Sequence, residues 1–247
     1  MSTWSAERAR NFGSIAELYE RVRPGYPVEA VEWLLGEGVH EVADVGTGTG
    51  KLTDAILASG REVVAVDPDP GMLAVLSAKH PDVRTVPGTA EQLPFEDDTF
   101  DAVTFGQSWH WVDPPRGSAE VGRILRPGGA LGLLWNIRDA REPWVAELAD
   151  ILDHQSADEL MLASGGPIVT SPLVFDEMRE FTWVSSIDVA TLVELAATHG
   201  FVMTASESDR TRMLDEVGAL GERVAGADGR LRLPYRLYVY RFVAQTS

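Results

Sequence analysis

Glycines 46, 48 and 50 alternate in Asp44-Val-Gly-Thr-Gly-Thr-Gly-Lys-Leu-Thr53, and a second carboxylate, Asp67, closes the next apolar run. Turns of this kind bring bare backbone against a ligand, because glycine has no Cβ to hold the ligand off. Nucleotide phosphates, dinucleotides and phosphate-free nucleosides are the three ligand classes to separate. A P-loop needs Gly, four residues, Gly-Lys and then Ser or Thr. Aligned on Gly50-Lys51, this chain has Val45 for the first glycine and Leu52 for the hydroxyl that would hold magnesium. The dinucleotide turn G-x-G-x-x-G uses its third glycine for close packing of helix on strand. Counted from Gly46, that position is Lys51. An NAD-dependent oxidoreductase therefore stays open only as a variant of that turn.

His110 is the residue best suited to proton transfer. It lies between Trp109 and Trp111, just after an apolar run ending at Phe105. An imidazole with an ordinary pKa of about 6.5 can take a proton from a hydroxyl or a phenol. A histidine held in an aromatic wall without a chemical role is the plainer alternative. Tyr19, Arg23 and Tyr26 form a second cluster around Arg23-Pro-Gly-Tyr-Pro27, and Trp135, Asn136 and Arg138 form a third at the end of an apolar run. Arg138 can grip an anionic acceptor through two parallel hydrogen bonds. The chain has no cysteine, which excludes a thiolate nucleophile and a zinc–cysteine site. His40, His80, His154 and His199 are too scattered for a local metal-ligand pair, and no metal is expected. His80 and His199 read as helix ends, where an imidazolium suits the dipole. Trp4, Trp33, Trp144 and Trp183 read as packing.

These groups need a scaffold that gathers them at one edge. Strands are predicted over 39–45, 62–66, 82–86, 100–105, 130–137, 181–187 and 235–243, and helices over 50–59, 70–79, 188–199 and 206–224. Asp69-Pro70 and Asp113-Pro114 each pair an N-cap with proline at the first helical position. Pro127-Gly128-Gly129 stops the helix that Asp113 opens. Strands separated by helices in this rhythm imply a doubly wound, mostly parallel sheet covered on both faces. Such sheets bind ligands outside the carboxyl ends of their strands, where the turn after Asp44, the loop after Phe105 and the end of 130–137 all fall. A helix over 5–21, with Phe12, Ile15, Ala16 and Tyr19 on one face, precedes the domain. The pattern loosens over 138–179, which reads as a cap inserted over the sheet edge.

The pattern of Asp44, Gly46/Gly48/Gly50 and Asp67 resembles class I S-adenosylmethionine-dependent methyltransferases. Gly88–Val103 and Leu125–Trp135 are similar to further segments of that superfamily. Phe12–Pro27, Phe105–Pro114 and Trp135–Asp139 resemble the methyltransferase type 11 subgroup, which includes trans-aconitate methyltransferase-like proteins. The resemblance covers nearly the whole chain and is weakest over 138–179. It implies a Rossmann-like α/β fold with an antiparallel C-terminal strand, a helical cap, and residues 1–37 as a lid on a single domain. Its cofactor would be S-adenosyl-L-methionine, a phosphate-free zwitterion. Gly46, Thr47, Gly48 and Gly50 would approach the amino-acid and ribose portions, Asp44 the ammonium and Asp67 the ribose hydroxyls. Pro68, Met72, Ala90, Glu91 and Gln107 would surround the nucleoside, and Tyr19 and Arg23 would meet the carboxylate. Tyr26, Trp109, Trp111, Trp135, Asn136 and Arg138 would face the acceptor, with His110 as base. A carboxylate or hydroxyl of a small molecule would be methylated. Outside enzymes, the same residues leave open a non-catalytic cofactor-binding regulatory domain.

Composition sets the remaining bounds. The formal charge of −17 argues against a nucleic-acid surface, which needs clustered Lys and Arg. No apolar run approaches the roughly 18 residues of a membrane span, and the N-terminus lacks a signal-like apolar core. The expectation is a cytoplasmic monomer or homodimer.

Overall fold

The computed structural model describes residues 16–152 and 165–245. Its strands are β1 Glu41–Val45, β2 Glu62–Asp67, β3 Arg84–Pro87, β4 Phe100–Gly106, β5 Leu125–Arg138, β6 Leu173–Asp188 and β7 Arg230–Ala244. They form one sheet in the order β3-β2-β1-β4-β5-β7-β6. Neighbours from β3 to β5 pair in parallel, and β7 runs antiparallel to both β5 and β6. The expected Rossmann-like fold with an antiparallel final strand is present.

Period-two alternation decides which side chains enter which layer. Ala43, Val45, Val103, Phe105, Leu131, Leu133 and Trp135 point to one face, where they pack with Val121 and Ile124 of α5 (Pro114–Ile124). Val42, Ala102, Leu134, Leu237 and Val239 point to the other face, against α2 (Val28–Leu35) and α3 (Lys51–Ala58). Gly132 lets α2 sit close, since a Cβ there would lie 2.2 Å from a Leu34 methyl. The Asp-Pro helix starts form as expected. Asp69 accepts from Gly71 N at 2.7 Å to open α4 (Pro70–Lys79), and Asp113 accepts from Arg116 N at 3.1 Å to open α5.

Several boundaries differ from the sequence reading. Pro127-Gly128-Gly129 does not stop the helix that Asp113 opens: α5 ends at Ile124, and these three residues lie inside β5, which starts at Leu125 and not at 130. The proposed lid 1–37 divides. Residues 16–22 form a helix, α1, over the sheet edge, but α2 is core, burying Ala30, Val31, Leu34 and Leu35. Residues 1–15, with Trp4, Phe12 and Ile15, lie outside the described residues. The proposed cap 138–179 also divides. It supplies α6 (Pro143–Ile151), but 173–179 belong to β6. Those strand residues beyond Leu173 are exposed on both faces, so they carry no apolar alternation for sequence to register. Residues 153–164 of the expected cap lie outside the described residues. Among the described residues, the larger part of the cap comes from between β6 and β7, as α7 (Val189–Ala197), α8 (Gly200–Thr204) and α9 (Glu207–Val224). These helices share a cluster of their own with α6, built on Leu148, Leu192, Val202, Met213, Val217 and Leu220. Among the described residues, no helix is long and apolar enough to cross a membrane.

Candidate active site

Between β1 and β4 the strand order reverses, because the chain leaves β1 toward β2 and leaves β4 toward β5. Doubly wound sheets open a crevice at such a point. Gly46 follows β1 with φ 65°, and a Cβ on it would meet Ser108 at 2.6 Å. Ser108 itself donates to Val45 O at 3.1 Å, which stitches the loop after β4 to the end of β1. Gly48 also has positive φ, at 56°, and no atom lies within 4 Å of where its Cβ would be. Its bare backbone therefore faces open space, while its N–H is held by Asp67 Oδ2 at 2.8 Å. The other oxygen of Asp67 accepts from Asp69 N at 2.8 Å. Burial pushes the Asp67 pKa up, against the pull of those two backbone donors.

Asp44 is fully buried. It accepts from Thr53 Oγ1 at 2.6 Å, Thr47 Oγ1 at 2.9 Å and Thr104 Oγ1 at 3.1 Å. Thr104 stands beside it in register on β4, and Thr53 comes from the first turn of α3. Burial pushes the carboxyl up to about 6, and the nearby Asp67 adds to the rise, although the three hydroxyls oppose it. Three of the carboxylate's roughly four lone-pair sites are thus committed to shaping the loop. Thr47, Thr53 and Thr104 give Asp44 a structural role that the glycine spacing alone did not reveal.

Helix α1 crosses above this loop and is tied down on both sides. Glu20 Oε1 receives Lys51 Nζ at 3.0 Å and Lys79 Nζ at 2.9 Å, and Lys79 also reaches Asp54 at 3.0 Å. On the cap side, Arg21 makes a bidentate pair with Glu194 of α7, at 3.1 and 2.8 Å. Arg23 donates to Thr198 O at 3.0 Å and lies over the Tyr19 ring at 4.8 Å. Asn136 pins the following turn, donating to Gly25 O at 2.9 Å while accepting from Trp183 Nε1 at 2.9 Å. Tyr19, Arg23, Pro24 and Tyr26 therefore wall a pocket with Asp44, Gly46, Thr47, Gly48 and Gln107. That pocket measures about 50 Å³, below the roughly 300 Å³ at which small-molecule sites begin.

A second chamber of about 680 Å³ adjoins the first, and Tyr19, Arg23, Pro24 and Gln107 belong to both. Gln107 holds φ 52°, unusual for a residue with a side chain, and its N–H donates to Leu134 O at 2.9 Å. His110, Trp111, Asn136 and Arg138 line the chamber as their sequence positions suggested. Tyr235 is stacked on Trp183 with ring centroids 5.0 Å apart. Burial pushes the Tyr235 phenol up to about 12, and the charges of Arg138 and then Arg23 pull it back.

The remaining residues fall elsewhere. Trp109 and Trp135 are core side chains and not chamber walls. Trp109 packs edge-on against Phe105 and donates to Ile168 O at 2.9 Å, and Trp135 packs against Tyr240. Alternation explains Trp135, which shares a face with Leu133, while its neighbours Leu134 and Asn136 point the other way. Met72 is half-buried on α4, Pro68 is exposed, and Ala90 is buried in the core; none of the three lines either chamber. Glu91 accepts from Asp113 N at 2.9 Å, bracing the start of α5. Gly50 is the N-cap of α3. His80 does end α4, held 2.6 Å from Asp54. His199 does not end a helix as expected; it starts α8 and lines the chamber with Leu195, Gly200, Phe201, Met203 and Thr204. No motif marks these cap residues. His154 lies outside the described residues.

The family model described as "Methyltransferase domain" matches residues 43–133, from β1 into β5. An uncharacterised methyltransferase of Mycobacterium tuberculosis is 42% identical over 233 residues, covering 91% of this chain and 92% of its own. An uncharacterised methyltransferase-like protein of Schizosaccharomyces pombe is 32% identical, covering 90% and 91%. A solved structure from Anaeromyxobacter dehalogenans, assigned as a type II methyltransferase, superposes with a TM-score of 0.69 at 20% identity, covering 90% of this chain and 97% of that one. That likeness establishes the shared fold.

Proposed function

The chain belongs to the methyltransferase family, as an S-adenosylmethionine-dependent enzyme on the class I fold, and on that premise we propose that it methylates a carboxylate or hydroxyl oxygen of a small molecule. The observation that carries this reading is the pairing of chambers. A glycine-loop pocket and a larger chamber share one wall, Tyr19, Arg23, Pro24 and Gln107, so a donor on the loop and an acceptor beside it would meet there.

The residues present suit S-adenosyl-L-methionine. Open backbone at Gly48 admits a ligand closely, and Asp67 keeps acceptor capacity for hydroxyls beyond its two backbone bonds. Asp44 retains about one lone-pair site for an ammonium, and Arg23 is placed to meet a carboxylate. When bound, the cofactor supplies a methyl group already activated on a sulfonium. The protein's own work is then orientation and exclusion of water. For a hydroxyl acceptor, His110 takes the proton; for a carboxylate, no base is needed and His110 serves as wall. Helix α1 lifts to admit cofactor and closes on it, turning on the Arg23–Pro27 stretch.

The test is formation of S-adenosylhomocysteine from labelled donor with a panel of small acids, phenols and amines. Acids or hydroxyl compounds should accept the label. A panel in which only amines accept, or in which none does, would sink the proposal.

A further inference from the structure

Gly25 stands in the middle of the wall that the two chambers share. Arg23 and Pro24 on one side of it line both chambers, and Tyr26 on the other side lines the glycine-loop pocket. Little within the turn itself fixes its place. Pro24 and Pro27 have no N–H to donate. Neither Pro24 nor Gly25 makes a backbone–backbone hydrogen bond among the described residues. A Cβ on Gly25 would meet nothing within 4 Å, so packing does not locate it either.

A side chain from the sheet does. Asn136, near the carboxyl end of β5 and 5% exposed, donates from Nδ2 to Gly25 O at 2.9 Å. Its Oδ1 accepts from Trp183 Nε1 at 2.9 Å, a bond that reaches from β6 across β7 to β5. The Trp183 ring is fixed in turn, stacked on buried Tyr235 with centroids 5.0 Å apart. These partners set the orientation of the amide. An indole N–H can only donate and a carbonyl can only accept, so Oδ1 must face Trp183 and Nδ2 must face Gly25. The place calls for one acceptor and one donor on a short stem. Asparagine supplies both, leucine neither, and an ionised aspartate has no donor.

Building on the methyl-transfer reading above, we propose that Asn136 is a positioning residue of the cofactor site and not a contact to the acceptor. It fixes Gly25 to the sheet, so that Arg23, Pro24 and Tyr26 stand at a set distance from the glycine loop and the Arg23–Pro27 stretch has a fixed pivot. Cofactor affinity then depends, through Asn136, on Trp183, which lines neither chamber.

Calorimetry of S-adenosylhomocysteine binding to the full chain, without acceptor, tests this. Asn136→Asp keeps the side-chain shape and the acceptor for Trp183. Ionised, the introduced carboxyl turns a bare oxygen toward Gly25 O; protonated, it can donate there again. The variant should bind about tenfold more weakly than wild type at pH 8.5, and the gap should close as pH falls to 5. The other ionisable groups lining the two chambers, Asp44, Arg23, Arg138, His110, His199 and Tyr235 among them, are common to both proteins. The ratio of the two affinities therefore isolates the introduced carboxyl. Trp183→Phe can keep the stack on Tyr235 but frees the amide to turn, and should lower affinity about threefold at every pH. A ratio for Asn136→Asp that stays constant from pH 8.5 to 5 would overturn the bond to Gly25 as the operative contact. Wild-type affinity in both variants would return Asn136 to the acceptor wall. Should the aspartate variant not fold, Trp183→Phe decides alone, and unchanged affinity there overturns the proposal. Failure of S-adenosylhomocysteine to bind the wild type would instead strike the methyltransferase reading, so the two failures are distinguishable.

Discussion

Replacing Asp44 by Asn removes one buried charge and can leave every hydrogen bond in place. The amide oxygen takes the two hydroxyls that Oδ2 receives, from Thr47 and Thr53, and the amide nitrogen donates to Thr104, whose hydroxyl turns to accept. The energetic difference is then mainly the cost of ionising Asp44 in the interior. Burial lifts its pKa from 3.8 to about 6, roughly two units at about 1.4 kcal/mol each, or about 3 kcal/mol. The sign follows from proton counting. Below pH 4 the carboxyl is protonated in both folded and unfolded chains and contributes nothing to pH dependence. Between pH 4 and 6 the unfolded chain releases the proton while the folded chain keeps it, so wild-type stability falls as pH rises. Above about pH 6 the loss is complete. Urea unfolding of both proteins from pH 4 to 8 gives the difference directly. Asp44→Asn should match wild type near pH 4 and exceed it by up to about 3 kcal/mol at pH 7.5. A difference that stays flat across this range would refute the account of a charge buried against three hydroxyls.

Asp67→Ala removes the acceptor for both Gly48 N and Asp69 N and should weaken cofactor binding by roughly 1.5–3 kcal/mol for a lost charged hydrogen bond; unchanged affinity by calorimetry would separate Asp67 from the ligand. Glu20→Gln takes the charge from between Lys51 and Lys79, so hydrogen exchange over 16–26 in cofactor-free protein should accelerate. Equal exchange in variant and wild type would show that these pairs do not hold α1 against the glycine loop. His110→Ala should cut turnover by about 10²–10⁴ with a hydroxyl acceptor. With a carboxylate acceptor it should change acceptor affinity instead, and near-normal values of both would leave His110 without a role.

Much of the scaffold was legible because burial writes a pattern. β1, β2 and β4 read as apolar runs closed by turn residues, and the Asp-Pro pairs announced α4 and α5. The glycine loop was legible because few ligands tolerate its spacing. Legibility ended where burial stopped constraining the residue types. The first half of β6 beyond Leu173 is exposed on both faces and carries no signal, so its residues read as part of the cap. Trp109 and Trp135 belong to segments at the carboxyl edge of the parallel strands, yet they turn inward, because proximity along the chain does not set the direction of a side chain. Asp44 read as a ligand contact, but its partners Thr53 and Thr104 become its neighbours only through the α3 turn and the β1–β4 register. The chamber walls between Leu195 and Thr204 come from two short helices and the turn joining them, and they line the chamber only because of where the cap folds back.

The wall common to both chambers also sets an order of events. Tyr19, Arg23 and Pro24 close the glycine-loop pocket, and the same three residues border the larger chamber, the proposed acceptor site. An acceptor lodged against Arg23 would hold that segment down and bar the way to the loop, so productive turnover would start with the cofactor and end with its demethylated product. Steady-state kinetics should accordingly be compulsory-ordered. S-adenosylhomocysteine would compete with the methyl donor alone, and excess acceptor would trap the enzyme before the spent cofactor leaves.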